Sequence, residues 1–383
     1  MYDIENYPQG YWRVGDKKFF SKFESLVESK EKNLTVDYIY FDHTWENFDR
    51  SKLGQKQLKD LYLERAIQLR QTYDYLILYF SGGADSYNVL RTFLDNDIPL
   101  DEICVKWCKS IFNSNVTIYK PNTQNQSAYN YLSEWDYAIK PVLEEVSKEF
   151  PNIKIEIVDW FENRNLIGSE ETFNKVNHWH DVEVTSLAVW SPSEKTMVEK
   201  GKTVGSIYGI DKPVVYAHQN HYYMVFSDAA ITMGTPNDIN VFGTEYFYYS
   251  PKFPELAFEM ANVVAKRFQT DSKLQNYLIS SDKRNNLSFL QEAHQFQQKY
   301  LRNILYDNWT DRFQTLKPIM PNRSDKHNWI YRIDDLRLFR NTYEDMRKLH
   351  LDKLQGSMYL GYTTDKNIPS DYKPIYSRKH LIF

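Results

Sequence analysis

YLILYFSGGADS, residues 75–86, joins a continuous apolar run to a short loop of small and polar residues. An apolar run without polar alternation is typical of a strand that is buried on both faces, as in a parallel sheet. After the loop, Val89, Leu90 and Phe93 recur at the spacing of a helix. The order of strand, loop and helix predicts the start of a βαβ unit, with the loop at the carboxyl end of a central strand.

Helix and strand patterns alternate on both sides of this unit. Helical patterns cover residues 57–73 and 132–150, and strand patterns cover residues 102–107, 153–157 and 203–208. Pro141 would kink the second helix. This alternation favours the α/β class, with a doubly wound and mostly parallel sheet.

The chain has 383 residues, more than a single core usually holds, so more than one lobe is expected. We predict an N-terminal αβ extension over residues 1–73, an α/β domain over residues 74–250 and a mainly helical C-terminal lobe over residues 251–383. Within the domain, PVVYAH and HYYMVF predict a hairpin that turns at Gln219 and Asn220.

The two outer segments rest on shorter patterns. The extension has a helical pattern at 17–30 and a strand pattern at 35–41, and the C-terminal lobe has helical patterns from 254, at 287–305 and at 333–354.

Composition excludes several classes of protein. The chain has only Cys104 and Cys108, which supports neither a disulfide framework nor a thiolate metal site and predicts a reducing compartment. No apolar run approaches the length of a membrane span, and the first ten residues lack the pattern of a signal peptide. These features predict a cytoplasmic protein with no membrane partner.

Charge is distributed unevenly along the chain. Residues 301–383 carry 15 Lys and Arg against 10 Asp and Glu, whereas residues 1–300 carry 32 against 41. The basic part would suit an anionic substrate, nucleic acid or the acidic part of another copy in a homo-oligomer. A solvated face explains the same distribution, so charge alone does not predict nucleic-acid binding.

The loop after the apolar run has the residue types of a phosphate site. Gly82 and Gly83 allow backbone amides to approach a phosphate, and the helix that follows adds unpaired amides at its N-terminus. Ser81 and Ser86 add hydroxyls, and Asp85 supplies a carboxylate for a Mg²⁺ ion that bridges phosphate oxygens. We therefore predict a binding set of six consecutive residues, namely Ser81, Gly82, Gly83, Ala84, Asp85 and Ser86. An ordinary strand-to-helix turn capped by Asp or Ser is the plainer alternative.

The loop lacks the GK[ST] sequence of a Walker A site, which argues against kinase-like phosphoryl transfer. SGGxDS after a hydrophobic strand instead resembles the PP-loop superfamily, the adenine nucleotide alpha hydrolases and ATP pyrophosphatases with a HUP-like fold. The chain is also similar over residues 10–270 to bacteriophage PP-loop proteins related to the asparagine synthetase ATPase domain, through YDYLILYFSGGADSYNVL, LDEICVKW, YGIDKP and TEYFYYSP.

This resemblance implies an enzyme that binds ATP and Mg²⁺ and splits ATP between its α- and β-phosphates. It implies that the loop grips the β,γ-pyrophosphate, that Asp85 is catalytic and binds the metal ion, and that Lys106 and Trp107 border the adenosine.

Lys212 is a second candidate catalytic residue. It follows the strand pattern at 203–208, whose carboxyl end should face the same crevice as the loop. Its charge would stabilise the α-phosphate or the departing pyrophosphate, and Asp211 would hold it or a second metal ion. A surface turn built by Gly209, Asp211 and Pro213 is an equal alternative.

Other polar and aromatic residues give weaker signals. The pairs His178 and His180, and His218 and His221, have zinc-ligand spacing, although exposed polar residues explain them as well. Asp228 is either a catalytic carboxylate or a loop cap. The aromatic run at 246–249 is either a stacking wall for a base or buried packing, and packing is the default for such runs.

The cysteine count narrows the reaction within the resembled superfamily. The chain has no cysteine before Cys104, which argues against glutamine hydrolysis, and no late cysteines support sulfur transfer. We therefore predict an AMP-forming ligase or amidotransferase-like enzyme that adenylates a small-molecule or nucleotide-type acceptor for amide or amine transfer. The alternative is a phage nucleotide-binding or structural and interaction protein without turnover.

Overall fold

A computed structural model of the chain describes residues 3–107, 135–159, 190–210, 212–219, 221–231, 239–271, 301–306, 337–362 and 369–383. The strands in this part are β1 Tyr11–Val14, β2 Lys17–Phe19, β3 Asp37–Ile39, β4 Tyr75–Tyr79, β5 Glu102–Trp107, β6 Lys154–Asp159, β7 Val204–Tyr208, β8 Val214–His218, β9 His221–Val225, β10 Thr244–Tyr246, β11 Leu360–Tyr362, β12 Pro369–Tyr372 and β13 His380–Leu381. The α-helices are α1 Lys22–Lys32, α2 Asp42–Glu46, α3 Leu58–Thr72, α4 Ala84–Leu94, α5 Lys140–Glu149, α6 Pro192–Glu199, α7 Asp228–Ile231, α8 Pro254–Thr270 and α9 Arg337–Leu354.

The centre of the fold is a five-stranded parallel sheet in the order β10-β7-β4-β5-β6. Every residue of β4 is buried, as its unbroken apolar sequence predicts. Ser206 of β7 donates a hydrogen bond to Glu194 of α6. The next residue of β7, Ile207, pairs with Glu245 of β10, whose side chain accepts a hydrogen bond from Arg65 of α3. Successive residues of a strand face opposite sides of the sheet. Helices therefore cover both faces of the sheet, and the prediction of an α/β protein with a parallel sheet is confirmed.

The N-terminal region differs from the sequence prediction. Lys17–Phe19 forms strand β2 instead of the start of a helix, and β1 lies between β2 and β3 in an antiparallel sheet. Gly15 has a φ of +57°, a left-handed conformation that lets the chain turn sharply between β1 and β2. The helix begins only at Lys22, where the Ser21 hydroxyl caps it by accepting a hydrogen bond from the Glu24 amide.

The helix predicted at 132–150 also differs over its described residues. Trp135–Ile139 forms a π-helical turn, and regular α-helix starts at Lys140. Pro141 therefore lies in the first turn of α5, directly after the π-helical turn, and the kink stays a prediction.

The predicted hairpin is confirmed, with His218 paired with His221 at its turn. The C-terminal strand β13 adds to this hairpin beside β9, and β11 pairs with β12. These three strands were not predicted. The helices expected from 254 and at 333–354 correspond to α8 and α9, while the helix expected at 287–305 lies outside the described residues except for the helical residues 301–305. The C-terminal lobe as a unit stays a prediction.

A buried ion pair joins three distant parts of the chain. Lys22 Nζ lies 2.8 Å from Asp228 Oδ2, and the two side chains are 0% and 1% exposed. The Trp12 indole donates to the same carboxylate, and the Ile375 amide donates to Asp228 Oδ1 at 2.8 Å. Lys22 also donates to the Lys373 carbonyl. Asp228 therefore contributes to the packing of the fold, and none of these contacts supports the catalytic alternative.

Candidate functional site

The loop between β4 and α4 uses its two glycines differently. Gly82 has a φ of +73°, and a Cβ there would lie 2.6 Å from Ile139 Cγ1. Gly83 caps α4 with an ordinary φ of −79°, and a Cβ there would meet only Ser81 Oγ, at 3.4 Å. Glycine is therefore required by the fold at position 82, whereas the space beside Gly83 is open.

The two serines of the loop hold its shape. Ser81 Oγ and Ser86 Oγ lie 3.1 Å apart, and the Ser81 amide donates to Ser86 Oγ. The Gly83 amide donates to Ser81 Oγ at 3.3 Å, and Ser86 Oγ donates to the Gly83 carbonyl at 3.2 Å. Among the residues placed by the structure, none accepts a hydrogen bond from the amides of Ala84 and Asp85. These amides, at the positive end of α4, can bind an anion.

Asp85 and Lys212, the two residues predicted to be catalytic, meet directly. Lys212 Nζ lies 2.5 Å from Asp85 Oδ1, and the lysine side chain is 4% exposed whereas the aspartate side chain is 23% exposed. Tyr306 donates a short hydrogen bond to the same oxygen, and Lys212 Nζ lies 5.8 Å from the centre of the Tyr306 ring. The lysine is therefore buried above the loop and not part of a solvated surface turn.

Close packing between β7 and α4 brings these groups together. A Cβ on Gly209 would lie 2.8 Å from Ser86 Cα and 2.9 Å from the Ser86 amide nitrogen. The end of β7 therefore presses against the first turn of α4, which directs the following residues, including Lys212, over Asp85. Glycine is needed at position 209 because the atoms that it faces belong to backbone.

Tyr248 provides a further contact with the loop. Its hydroxyl donates to the Asp85 carbonyl at 2.6 Å and accepts a hydrogen bond from Asn88. The rings of Tyr246, Phe247 and Tyr249 are buried with it in the core. The packing interpretation of the aromatic run is therefore confirmed, and Tyr248 also supports the loop, which the sequence pattern did not predict.

The structure separates Lys106 from Trp107. Lys106 Nζ lies 4.9 Å from the ring centre of Tyr79 and 5.8 Å from that of Tyr208, and these two rings are stacked 4.6 Å apart. Burial lowers the pKa of Lys106 to about 8. Trp107 points to the other face of the sheet, where it is buried against Trp135. Lys106 and Trp107 therefore lie on opposite faces of the sheet, and only Lys106 is beside the stacked Tyr79 and Tyr208 rings.

Buried carboxylates and serines form a hydrogen-bond network around the hydroxyl of Tyr79, one of the two stacked rings. Glu194 is 1% exposed and accepts hydrogen bonds from the Tyr79 hydroxyl, at 3.0 Å, and from the Ser206 hydroxyl. The Ser191 amide donates a hydrogen bond to the Tyr79 hydroxyl, and the Ser191 hydroxyl donates one to the Glu102 carboxylate. No local pattern predicts this network, because its members come from a helix and three strands that meet only in the folded chain.

The remaining candidates do not form a metal site in the part of the chain that is placed. No group of three or more His, Cys, Asp or Glu residues there could hold a metal ion. His218 and His221 are exposed at the hairpin turn, and His178, His180, Asp211 and Cys108 lie outside the described residues. Likewise, no helix in the described ranges is long and apolar enough to cross a membrane.

Two grooves among the described residues lie away from the loop. One, of about 400 Å³, runs along α5 and β6 between Trp135 and Ile157, and the other, of about 340 Å³, lies beside β10 between Phe41 and Lys252. Neither is lined by a residue of the loop, so the chemical groups and not a groove identify the candidate site.

The chain matches no protein-family model, no curated protein and no solved structure. Its class therefore follows from the structure alone. It is an α/β protein built on a five-stranded parallel sheet, compatible with a Rossmann-like fold.

Proposed function

We propose that the protein binds ATP with Mg²⁺ at the loop Ser81–Ser86 and adenylates an acceptor, releasing AMP and pyrophosphate. The observation that carries this proposal is the convergence of three kinds of group at one strand end. These groups are the open amides of α4, the buried Lys212 ammonium and the Asp85 carboxylate. Anions bind at helix N-termini, and a buried lysine beside them adds a full positive charge.

The loop suits the phosphates of a nucleotide. The open space beside Gly83 lets a phosphate oxygen approach the amides of Ala84 and Asp85, and the serine hydroxyls keep the loop in the shape that exposes these amides. The site has no Walker lysine within the loop, so the positive charge comes from Lys212, across the crevice. Lys212 would stabilise the charge that develops on the α-phosphate or the leaving pyrophosphate.

Asp85 suits one Mg²⁺ ion. Its Oδ1 is held by Lys212 and Tyr306, whereas Oδ2 accepts no hydrogen bond from any residue in the described ranges. Mg²⁺ is commonly held by one or two carboxylates together with substrate phosphates, so a single free carboxylate oxygen is sufficient. Bound there, the ion would neutralise phosphate charge. The arrangement also requires Lys212 to loosen its contact with Asp85 before it can reach a phosphate.

The acceptor would be a small molecule or nucleotide whose carboxylate, carbonyl or amide oxygen attacks the α-phosphorus. Attack by that oxygen forms an adenylate and breaks the bond to pyrophosphate, and an amine or ammonia then displaces AMP. The resemblance to ATP pyrophosphatases and the absence of a Walker lysine support this reaction over phosphoryl transfer.

A second candidate function is nucleotide binding without turnover, as in a phage binding or structural protein. One observation favours it, because Asp85 and Lys212 already neutralise each other in the folded chain. A site in this state would need rearrangement for catalysis but not for simple binding of a nucleotide.

Chromatography of labelled ATP products tests the reaction type. The purified protein is incubated with ATP, Mg²⁺ and mixtures of amino acids, amines, nucleotides and ammonia, with Asp85→Asn as the control. We expect AMP and pyrophosphate, both lost in the control. Steady formation of ADP that is lost in Asp85→Asn would refute adenylation while preserving the ATP site, and tight binding with no product would favour the second function.

A further inference from the structure

We propose that Tyr306 is a positioning residue of the metal and nucleotide site, because its hydroxyl orients the Asp85 carboxylate so that Oδ2 faces the ligand. This inference rests on the proposed function. It assigns a role in the site to residue 306, which is 221 positions from Asp85 and outside the sequence motif.

The hydroxyl of Tyr306 is a permanent donor. The residue is 2% exposed, and its hydroxyl donates a hydrogen bond to Asp85 Oδ1. A tyrosine hydroxyl carries its proton at neutral pH, so this group donates to the carboxylate.

Tyr306 is held in place by contacts that do not involve Asp85. The Tyr62 hydroxyl of α3 donates to the carbonyl of Leu305 at 2.9 Å. The Tyr306 ring lies 5.8 Å from that of Tyr248 and 6.4 Å from that of Tyr62, measured between ring centres. A side chain fixed in this way loses little freedom when it binds the carboxylate, which is the requirement for a positioning group.

The two groups that donate to Asp85 Oδ1 would respond differently when a nucleotide binds. Lys212 is attracted by the phosphates and would move towards them. Tyr306 carries no charge and has no such attraction, so it would remain on Oδ1. Without its hydroxyl, the carboxylate would rotate freely once Lys212 leaves. The contribution of Asp85 to metal binding would then fall, although the amides of α4 would still bind phosphate.

The test is the dependence of ATP affinity on Mg²⁺, measured by calorimetry on the full chain with Mg²⁺ and with EDTA. Tyr306→Phe keeps the ring and removes the hydroxyl. Tyr40→Phe is the matched control, because Tyr40 is also fully buried but its hydroxyl donates to the Tyr249 carbonyl and not to Asp85. A hydrogen bond to a charged group contributes enough for about a tenfold effect.

We expect Tyr306→Phe to reduce the gain in ATP affinity caused by Mg²⁺ about tenfold, while the affinity in EDTA stays within about twofold of the wild type. Raising the Mg²⁺ concentration should restore binding in this variant. In Tyr40→Phe, the gain from Mg²⁺ should match that of the wild type. Circular dichroism and thermal melting confirm that each variant is folded.

Three results would overturn the inference. An unchanged Mg²⁺ gain in folded Tyr306→Phe, or equal weakening with and without Mg²⁺, removes the positioning role while the ATP site stands. Failure of the wild type to bind ATP in either condition removes the proposed function itself. If Tyr306→Phe does not fold, Tyr62→Phe replaces it, since loss of the hydroxyl that holds Leu305 should loosen Tyr306 and reduce the same Mg²⁺ gain.

Discussion

Replacing Lys106 with Met should stabilise the protein at neutral pH. The methionine keeps the apolar stem beside Tyr79 and Tyr208 but removes a charge that burial disfavours. Burial lowers the pKa of Lys106 from 10.5 to about 8. Each pKa unit corresponds to about 1.4 kcal/mol, so the charged lysine costs the folded state at most about 3.5 kcal/mol. Met at 106 should recover part of this free energy.

The difference in stability between Lys106→Met and the wild type should depend on pH. Below pH 8, Lys106 is charged in both the folded and the unfolded states, and the full cost applies. As the pH rises from about 8 to 10.5, the folded protein loses this proton before the unfolded chain does, so the wild type gains stability relative to Lys106→Met.

Urea denaturation at a series of pH values measures this difference in the free energy of unfolding. Lys195→Met is the matched control, because the Lys195 side chain is 63% exposed. The control should lie close to the wild type at every pH. If Lys106→Met is less stable than the wild type at pH 7, or if its advantage grows between pH 8 and 10.5, the half-buried Lys106 charge is not costly to the fold.

Three further substitutions test the packing and the site. Gly209→Ala should lower the free energy of unfolding by about 1 to 3 kcal/mol in urea titrations, because its Cβ would meet the backbone of Ser86 at 2.8 Å. Asp228→Ala should cost about 3 to 5 kcal/mol in the same assay, because it leaves Lys22 charged and buried without its carboxylate. Lys212→Ala should slow turnover more than it weakens ATP binding in steady-state and calorimetric measurements, as expected for a group that acts on developing charge.

The central part of the fold could be predicted from the sequence because its signals are local and strong. The unbroken apolar run of β4 indicated a strand buried on both faces, and Gln219 and Asn220 marked the turn between β8 and β9. Lys212 was placed at the same crevice as the loop because the carboxyl ends of parallel strands meet at one edge of the sheet. A surface turn was an equal alternative, and the ion pair between Lys212 and Asp85 decides against it.

Other elements depend on contacts that local patterns do not record. The helical spacing of apolar residues over 17–30 includes residues 17–19, which form strand β2 in the structure. Gly15 makes the turn that brings this strand back along β1. β13 is only two residues long and exists because it pairs with β9. Tyr306 reaches Asp85 across 221 residues, so no spacing rule could have found it. Periodicity reports which face of an element is buried but not which distant residue covers it.

The most direct test of the account is calorimetric titration of the protein with ATP and Mg²⁺, repeated with Gly83→Val. The valine should leave the fold intact, because Gly83 has an ordinary φ of −79° and a Cβ there would contact only Ser81 Oγ. It should also fill the space through which phosphate reaches the amides of α4. We predict that the wild type binds and that the folded variant does not. Equal affinity of the two proteins for ATP would contradict the assignment of Ser81–Ser86 as a phosphate loop.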